Sequence, residues 1–191
     1  LFQSPAKRQD YSTIRLLHIS NFDPAAKNVE GILRVANTLA KEGFPFHLTI
    51  AGDGDLVRVQ EYAEAIQLSK QHYSILGTLS EEEVAQQMQA HHAFILFSNY
   101  ETQGVTLLEA LCCGMQVIGT KVGGIPEIIE TAQAGWLISP GDEFALSSAI
   151  KSLPPSVDNS QTARLAQAHY GQTAVLEQLQ KVYASIQRKL S

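Results

Sequence analysis

The sequence predicts an α/β protein built on a doubly wound parallel sheet, and three observations support this. Short apolar segments rich in β-branched residues recur along the chain, as is typical of strands buried on both faces of a parallel sheet. Segments with helical spacing of apolar residues alternate with them, which implies right-handed βαβ crossovers. After residue 153 the pattern is helical only. The predicted strands are Arg15–Ile19, Phe46–Ala51, Tyr73–Leu76, Ala93–Phe97, Gln116–Gly119 and Trp136–Ile138.

Four of the intervening segments carry helix signals. Ser80 and Glu83 have the spacing of a capping box at a helix N-terminus. Gly114 is placed to end a helix over residues 107–112, because glycine adopts the left-handed backbone found after helix ends. Asn28 and Asp142 are the expected N-caps of two further helices. The first of these two has apolar residues at steps of three and four, at Val29, Ile32, Leu33, Ala36, Leu39 and Ala40.

The chain is predicted to contain one domain with additions at both ends. Residues 1–13 are expected to be a flexible leader or the boundary of a piece of a longer chain, and residues 14–153 a Rossmann-like domain. The segment Leu153-Pro154-Pro155-Ser156 marks a break. Residues 154–191 are expected to be helices that pack on this domain and on a second domain outside the chain. An apolar stripe with helical spacing supports this, at Val175, Leu179, Val182, Tyr183, Ile186 and Leu190.

The composition argues against several classes of partner and site. Fourteen Lys and Arg against nineteen Asp and Glu give a net charge of −5, which offers no overall attraction to nucleic acid or to an anionic membrane. No run of about eighteen apolar residues occurs. Cys112 and Cys113 are adjacent, which disfavours a disulfide between them, and without clustered histidines they predict no metal site. Reduced cysteines and the lack of a signal peptide predict a cytoplasmic protein.

Two loops that follow predicted strands are candidates for ligand binding, because open parallel sheets bind ligands beyond the carboxyl ends of their strands. The loop over residues 20–28 carries Lys27 just ahead of a helix, where backbone N–H groups favour an anion. An exposed surface lysine is the alternative. The segment Ala51–Asp55 contains Gly52 and Gly54, which permit a tight turn and a close approach to a ligand. On its own this segment is better explained as a plain turn.

A third loop, after the strand that ends near Phe97, has the most informative composition. It carries Glu101, and Gly104 then opens a helix whose first N–H groups, on Val105 and Thr106, favour a diphosphate. Glu109 in the same helix suits the vicinal hydroxyls of a ribose. The alternative is that Glu109 interacts only with the helix dipole and that Glu101 is a solvated loop charge.

Glu101 and Glu109, separated by seven residues, have the spacing found in the retaining GT-B glycosyltransferases of family 4 (group 1), and the chain resembles that family. Three further blocks are similar to family motifs: Leu108–Gly114, Val117–Ile129 and Gly135–Asp142. The resemblance extends from Leu16 to about Ile150. It implies the C-terminal half of a GT-B enzyme, which binds a nucleotide-diphosphate sugar. The N-terminal half, which holds the acceptor, would lie outside this chain.

The resemblance also implies a role for each candidate residue. Glu101 would be catalytic and would hold sugar hydroxyls close to the reacting carbon. Glu109 would bind the donor ribose, and Lys27 the diphosphate. The remaining donor-binding positions would be the backbone of Gly104, Val105 and Thr106, the loop residue Asn21, the turn glycine Gly54, and Leu79 beside the donor base. Such enzymes need no metal or other cofactor, and any peripheral membrane association would occur only through the other half.

Some residues depart from the family pattern and keep alternatives open. Asn21 stands where the family usually has an arginine, Gln103 where it has a phenylalanine, and Gln116 where it has a proline. A non-catalytic module that binds a nucleotide sugar, or a GT-B sugar-nucleotide epimerase, is therefore an alternative function. His91 and His92 are expected to be residues at a helix end, because no carboxylate or cysteine partner lies near them in the sequence.

Overall fold

The computed structural model describes residues 1–4, 12–132, 134–154 and 160–190. Its centre is a parallel sheet of six strands in the order β3-β2-β1-β4-β5-β6. The doubly wound sheet predicted from the sequence is confirmed, and each strand end lies within one residue of the predicted position. The strands are β1 (Ile14–Ile19), β2 (Phe46–Ala51), β3 (Tyr73–Ile75), β4 (Ala93–Leu96), β5 (Gln116–Thr120) and β6 (Trp136–Ile138).

Helices cover both faces of this sheet. In chain order they are α1 (Pro24–Lys27), α2 (Val29–Lys41), α3 (Leu56–Ala65), α4 (Glu81–Ala90), α5 (Val105–Cys112), α6 (Ile125–Ala132), α7 (Glu143–Lys151), α8 (Ser160–Tyr170) and α9 (Gln172–Leu190). A single turn of 3-10 helix, Lys70–His72, precedes β3.

Side-chain caps begin several of these helices, as the sequence predicts. The capping box of Ser80 and Glu83 is present, and Asp142 accepts a hydrogen bond from the Ala145 N–H. Gly114 has the left-handed backbone expected after α5, with φ of 68°. Asn28 occupies the N-cap position of α2, as predicted, but its backbone is left-handed (φ 46°) and its side chain makes no capping hydrogen bond. Asn28 is also the C-cap of the short helix α1, a position where a left-handed backbone is common.

The strand order reverses between β1 and β4, and this point positions the candidate site. The two strands pair at Leu16 with Ala93 and at Leu17 with Phe94. Leu16 packs in a core with α2, α3 and α7, whereas Leu17 packs in a second core with α5, α6 and α8 on the other face. The chain therefore leaves β1 and β4 toward opposite faces of the sheet, and a crevice opens at the carboxyl ends of these strands.

The C-terminal helices differ in how they pack. Helix α8 contacts α5 and α6, whereas the contacts of α9 are mainly with α8. The predicted break at Pro155 and Ser156, most of the predicted leader (residues 5–11) and the side chain of Leu190 lie outside the described residues. Among the described side chains of α9, the apolar stripe is exposed to solvent at Val175, Leu176, Leu179, Val182, Tyr183 and Ile186. Within the described ranges, no helix is both long and apolar enough to cross a membrane.

Two buried histidines predict that the fold loses stability in mild acid. Burial lowers the pKa of His18 and of His91 to about 4. A histidine in the unfolded chain has a pKa of about 6.5, so the unfolded state binds more protons between these values. The stabilising contribution is complete above pH ~6.5 and is lost as the pH falls toward 4. We expect the free energy of unfolding in urea to fall by about 2 kcal/mol per histidine between about pH 7 and about pH 5.

His91→Asn isolates this effect from the titration of carboxylates. The variant retains His18, so its histidine-dependent loss of stability over the same pH interval should be about half that of the unsubstituted chain. His72→Asn, at a partly exposed position, is the matched control and should leave the pH dependence unchanged. An identical pH dependence in the unsubstituted chain and in His91→Asn would contradict the assignment.

Candidate functional site

A cleft of about 440 Å³ lies at the carboxyl ends of β1 and β4, where the strand order reverses. The loops that follow β1, β2, β3 and β4 all contribute to it, because parallel strands end at the same edge of the sheet. Its lining residues are Ile19, Ser20, Asn21, Lys27, Gly52, Asp53, Thr78, Leu79, Val84, Glu101, Thr102, Gln103, Gly104, Val105 and Thr106. The structure thus brings together Asn21, Lys27, Leu79, Glu101, Gly104, Val105 and Thr106 from the predicted set.

Lys27 and Glu101 form an ion pair at this cleft. Lys27 Nζ donates to Glu101 Oε2 at 2.6 Å, and the two side chains are only 16% and 12% exposed. Two backbone hydrogen bonds hold the loops in place, since the Ala26 carbonyl accepts from the N–H groups of Asn99 and Tyr100. The sequence suggested that each charged group faces a ligand separately. In the structure each neutralises the other, and Asp53 remains as a further carboxylate in the lining.

Helix α5 begins at the cleft without a side-chain cap. Gly104 occupies the N-cap position with a φ of 78°, and a glycine has no side chain that could cap the first N–H groups of the helix. Helices α3 and α7, in contrast, are capped by Asp55 and Asp142. Because the first N–H groups of a helix have no acceptor within it, those of Val105 and Thr106 are available to an anion in the cleft.

Two glycines hold the loops of the cleft against neighbouring backbone. A Cβ on Gly52 would overlap the carbonyl oxygen of Ser20, and a Cβ on Gly123 would overlap that of Glu101. Both glycines have positive φ. Gly52 belongs to a turn that the sequence singles out. The structural role of Gly123 lies outside the predicted set, because it depends on the approach of a residue 22 positions away.

Two residues from the predicted set do not line the cleft. Gly54 packs behind it, where a Cβ would come within 2.5 Å of the Asn21 carbonyl oxygen. Glu109 is half-buried in the second turn of α5, on the same face as Val105 and Thr106. Its pKa is raised, first by burial and then by the negative charge of Glu81.

A second, smaller cavity of about 280 Å³ lies between the starts of α2 and α3. Its charged side chains are bonded within the protein, since Asp23 and Asp55 cap α1 and α3 and Arg58 pairs with Glu30. The larger cleft is therefore the candidate site. Among the described residues, no three His, Cys, Asp or Glu side chains cluster as metal ligands. His91 lies at the end of α4, as predicted, and bonds to the Gln87 carbonyl and to Thr49 Oγ1.

A chain of hydrogen bonds supports the cleft from inside the sheet. His18 in β1 is fully buried, and its Nδ1 lies 2.9 Å from the Ile95 carbonyl oxygen in β4. Its Nε2 lies 2.8 Å from Ser20 Oγ, which also accepts from the Phe22 N–H. His18 and Ser20 lie outside the residues predicted for the site. The signal that could have found them is a pair of polar residues at the end of an otherwise apolar strand.

The family model for the group 1 glycosyl transferases matches residues 13–154 of this chain. The chain is 34% identical over 130 residues to N-acetyl-alpha-D-glucosaminyl L-malate synthase of Bacillus anthracis, an alignment that covers 66% of this chain and 32% of that protein. It therefore spans about a third of the length of this curated relative.

Solved structures share the fold. Sucrose-phosphate synthase from Thermosynechococcus elongatus superposes with a TM-score of 0.80 at 21% identity, covering 93% of this chain and 46% of that one. Anabaena Alr3699/HepE, in complex with UDP and glucose, has a TM-score of 0.77 at 19% identity, covering 91% of this chain and 48% of that one. At these identities the similarity establishes the fold alone, and the chain spans about half of each structure.

Proposed function

This chain belongs to the group 1 glycosyl transferases, and from that premise we propose that its cleft binds the nucleotide-diphosphate sugar of a retaining sugar transfer. The observation that carries the proposal is the convergence of Lys27, Glu101 and the uncapped start of α5 in one cleft. These groups come from loops after β1 and β4, the two strands between which the strand order reverses.

The diphosphate of the donor is proposed to lie between Lys27 and the start of α5. The N–H groups of Val105 and Thr106 and the ammonium of Lys27 would then contact the phosphate oxygens. Sugar transfer breaks the bond between the anomeric carbon and the diphosphate oxygen, so negative charge develops on the leaving diphosphate. Donors fixed at that position before the reaction stabilise this charge, and the proposal requires no metal.

The proposed positions of the sugar, the ribose and the base follow from the same arrangement of residues around the cleft. Glu101 lies at the sugar end of the cleft in this proposal and binds hydroxyls of a hexose unit once Lys27 turns to the diphosphate. Glu109, further along α5, accepts hydrogen bonds from the ribose hydroxyls, and Thr78 and Leu79 border the nucleobase. The structure of Anabaena Alr3699/HepE, which shares this fold, contains UDP and glucose, and this supports a donor of this class.

The acceptor is proposed to bind a part of the protein outside this chain. The chain spans 46% of the sucrose-phosphate synthase structure that it resembles. Helix α9 supports the proposal, because its stripe from Val175 to Ile186 exposes large apolar side chains, including Tyr183 at 66% exposure. Such a stripe is stabilised by packing on another apolar surface, and we assign that surface to the acceptor-binding half.

One observation favours a binding module without transfer activity as the second candidate. Asn21 lines the cleft where the family usually has a cation, and Lys27 is already paired with Glu101. The two candidate functions predict different effects of Glu101→Ala on sugar transfer by a protein that contains both halves. An enzyme loses its sugar transfer in Glu101→Ala, whereas a binding module has no transfer to lose.

Thermal unfolding with UDP, GDP and ADP tests donor binding by this chain. If one nucleotide binds with a Kd of about 1 mM, a concentration of about 5 mM stabilises the fold by roughly 1 kcal/mol. We expect the Tm to rise by about 2–4 °C for one nucleotide. Glu109→Ala should remove that rise, because the ribose contact is lost. Glu130→Ala, at an exposed position of α6, is the matched control and should retain it.

Each failure in this experiment has its own meaning. The absence of a rise with all three nucleotides would contradict donor binding by this chain. A rise that persists in Glu109→Ala would contradict the ribose assignment alone.

A further inference from the structure

The ring of His18 bridges β1 and β4 at the point where these strands separate. The ladder between them pairs Leu17 with Phe94, and the next carbonyl of β4, on Ile95, bonds to the His18 ring. A carbonyl oxygen can only accept a hydrogen bond, so Nδ1 carries the ring proton. Burial lowers the pKa of His18 to about 4, and the ring is therefore neutral near pH 7. Nε2 is then an acceptor.

This tautomer determines the direction of the remaining bonds. Ser20 Oγ lies 2.8 Å from Nε2 and must donate its proton to it. The same oxygen accepts from the Phe22 N–H at 3.2 Å. The chain thus runs from the Phe22 N–H through the Ser20 hydroxyl to His18, and from His18 Nδ1–H to the backbone of β4.

The backbone held by this chain is strained and lies at the cleft. Phe22 has a φ of 53°, a conformation that bulky residues rarely adopt, and its side chain is buried. Ser20 and Asn21 line the cleft directly, and the same loop continues to Lys27. Gly52 and Gly54 restrain the loop from the other side, against the carbonyls of Ser20 and Asn21.

We infer that His18 is a positioning residue of the donor site, which acts through the Ser20 hydroxyl to hold the loop of Asn21 and Lys27 in the conformation that receives a nucleoside diphosphate. The inference rests on the proposed function. His18 itself is fully buried, so its side chain is not exposed to the cleft. Its contribution is to preorganise the loop, since a binding site retains its affinity only while the residues around it keep its geometry.

His91 offers a matched control for this inference. It is also buried, with a pKa lowered to about 4, and its ring bonds to the Gln87 carbonyl and to Thr49 Oγ1. It precedes β4, at the end of that strand opposite to the cleft. His18→Asn and His91→Asn therefore each remove a bond between a buried ring and a hydroxyl, but only the first bond leads to the cleft.

Titration calorimetry of the whole chain with UDP, GDP and ADP measures how each substitution changes the Kd for the nucleotide. For the nucleotide that the unsubstituted chain binds, we expect His18→Asn to raise the Kd about tenfold and His91→Asn to change it less than about twofold. His18→Gln, which replaces Nε2 by an amide oxygen acceptor, should recover most of the affinity. Hydrogen exchange should show faster exchange of the Phe22 amide in His18→Asn than in His91→Asn.

A second pair of variants covers the case in which His18→Asn fails to fold. Ser20→Ala removes the hydroxyl at the cleft, and Thr49→Ala removes the corresponding hydroxyl from His91. Only Ser20→Ala should raise the Kd about tenfold. Equal losses of affinity in both members of a pair, or unchanged affinity in His18→Asn and Ser20→Ala, would overturn the inference while leaving the proposed function intact. A lack of nucleotide binding by the unsubstituted chain would overturn both.

Discussion

Gly123→Ala is expected to disrupt the cleft, although Gly123 lies in the loop between β5 and α6 and does not line it. The glycine has a φ of 52°, and a Cβ would overlap the carbonyl oxygen of Glu101. The neighbouring Gly124 N–H bonds to the Thr102 carbonyl, so a hydrogen bond also joins the two loops. A methyl group therefore displaces the segment that carries Glu101.

The expected loss combines backbone strain with a steric clash. A left-handed backbone costs alanine about 1–2 kcal/mol relative to glycine, and the clash with a backbone atom adds to this. We expect a total destabilisation of about 3 kcal/mol, a decrease in Tm of about 6–12 °C and a loss of nucleotide binding of more than about tenfold. Urea denaturation and titration with UDP, GDP and ADP measure these effects.

Gly141→Ala separates the two contributions. Gly141 has a similar backbone, with a φ of 74°, but a Cβ there meets no atom within 4 Å. The variant should lose only about 1 kcal/mol and should bind nucleotide normally. If Gly123→Ala and Gly141→Ala are destabilised equally and bind equally well, the contact between Gly123 and Glu101 has no role in shaping the site.

Glu101→Gln and Lys27→Met are expected to change nucleotide affinity in opposite directions. The Lys27 ammonium bonds to Glu101 at 2.6 Å, so a diphosphate must compete with this carboxylate. Glutamine removes the competing charge, and we expect the Kd for the nucleoside diphosphate to fall about three- to tenfold. Lys27→Met removes the cation and should raise the Kd more than about tenfold, since a charge-assisted hydrogen bond contributes about 1.5–3 kcal/mol.

Sugar transfer should respond differently from binding. In a protein that contains both halves, we expect Glu101→Gln to lower kcat about 100-fold or more while binding the nucleotide more tightly, because in the proposed function the carboxylate binds the sugar and not the diphosphate. The Lys151–Glu42 ion pair, also at 2.6 Å but more exposed, supplies the matched controls. Lys151→Met and Glu42→Gln should leave affinity and transfer unchanged. Weaker nucleotide binding in Glu101→Gln would refute the competition between the carboxylate and the diphosphate.

The elements of the fold could be predicted because their signals are local. A strand buried on both faces is a short apolar run in the sequence. Helices α4 and α7 begin after the N-cap residues Ser80 and Asp142, which can be recognised from the sequence. The sequence predicted Asn28 as the N-cap of α2 but not that it also ends α1 with a left-handed backbone, because both positions favour asparagine. Seven of the fifteen residues that line the cleft were also predictable, since the loops after parallel strands meet at one edge of the sheet.

The sequence by itself predicted the doubly wound sheet, the family and seven of the fifteen residues that line the cleft, because periodicity, caps and motif spacing are properties of neighbouring residues. Only the tertiary structure decided which of those residues touch. It paired Lys27 with Glu101, 74 positions apart, placed Gly123 against the Glu101 backbone, and connected His18 through Ser20 to the loop of the cleft. These contacts arise where crossovers bring distant segments within a few ångströms, and no local pattern encodes that approach.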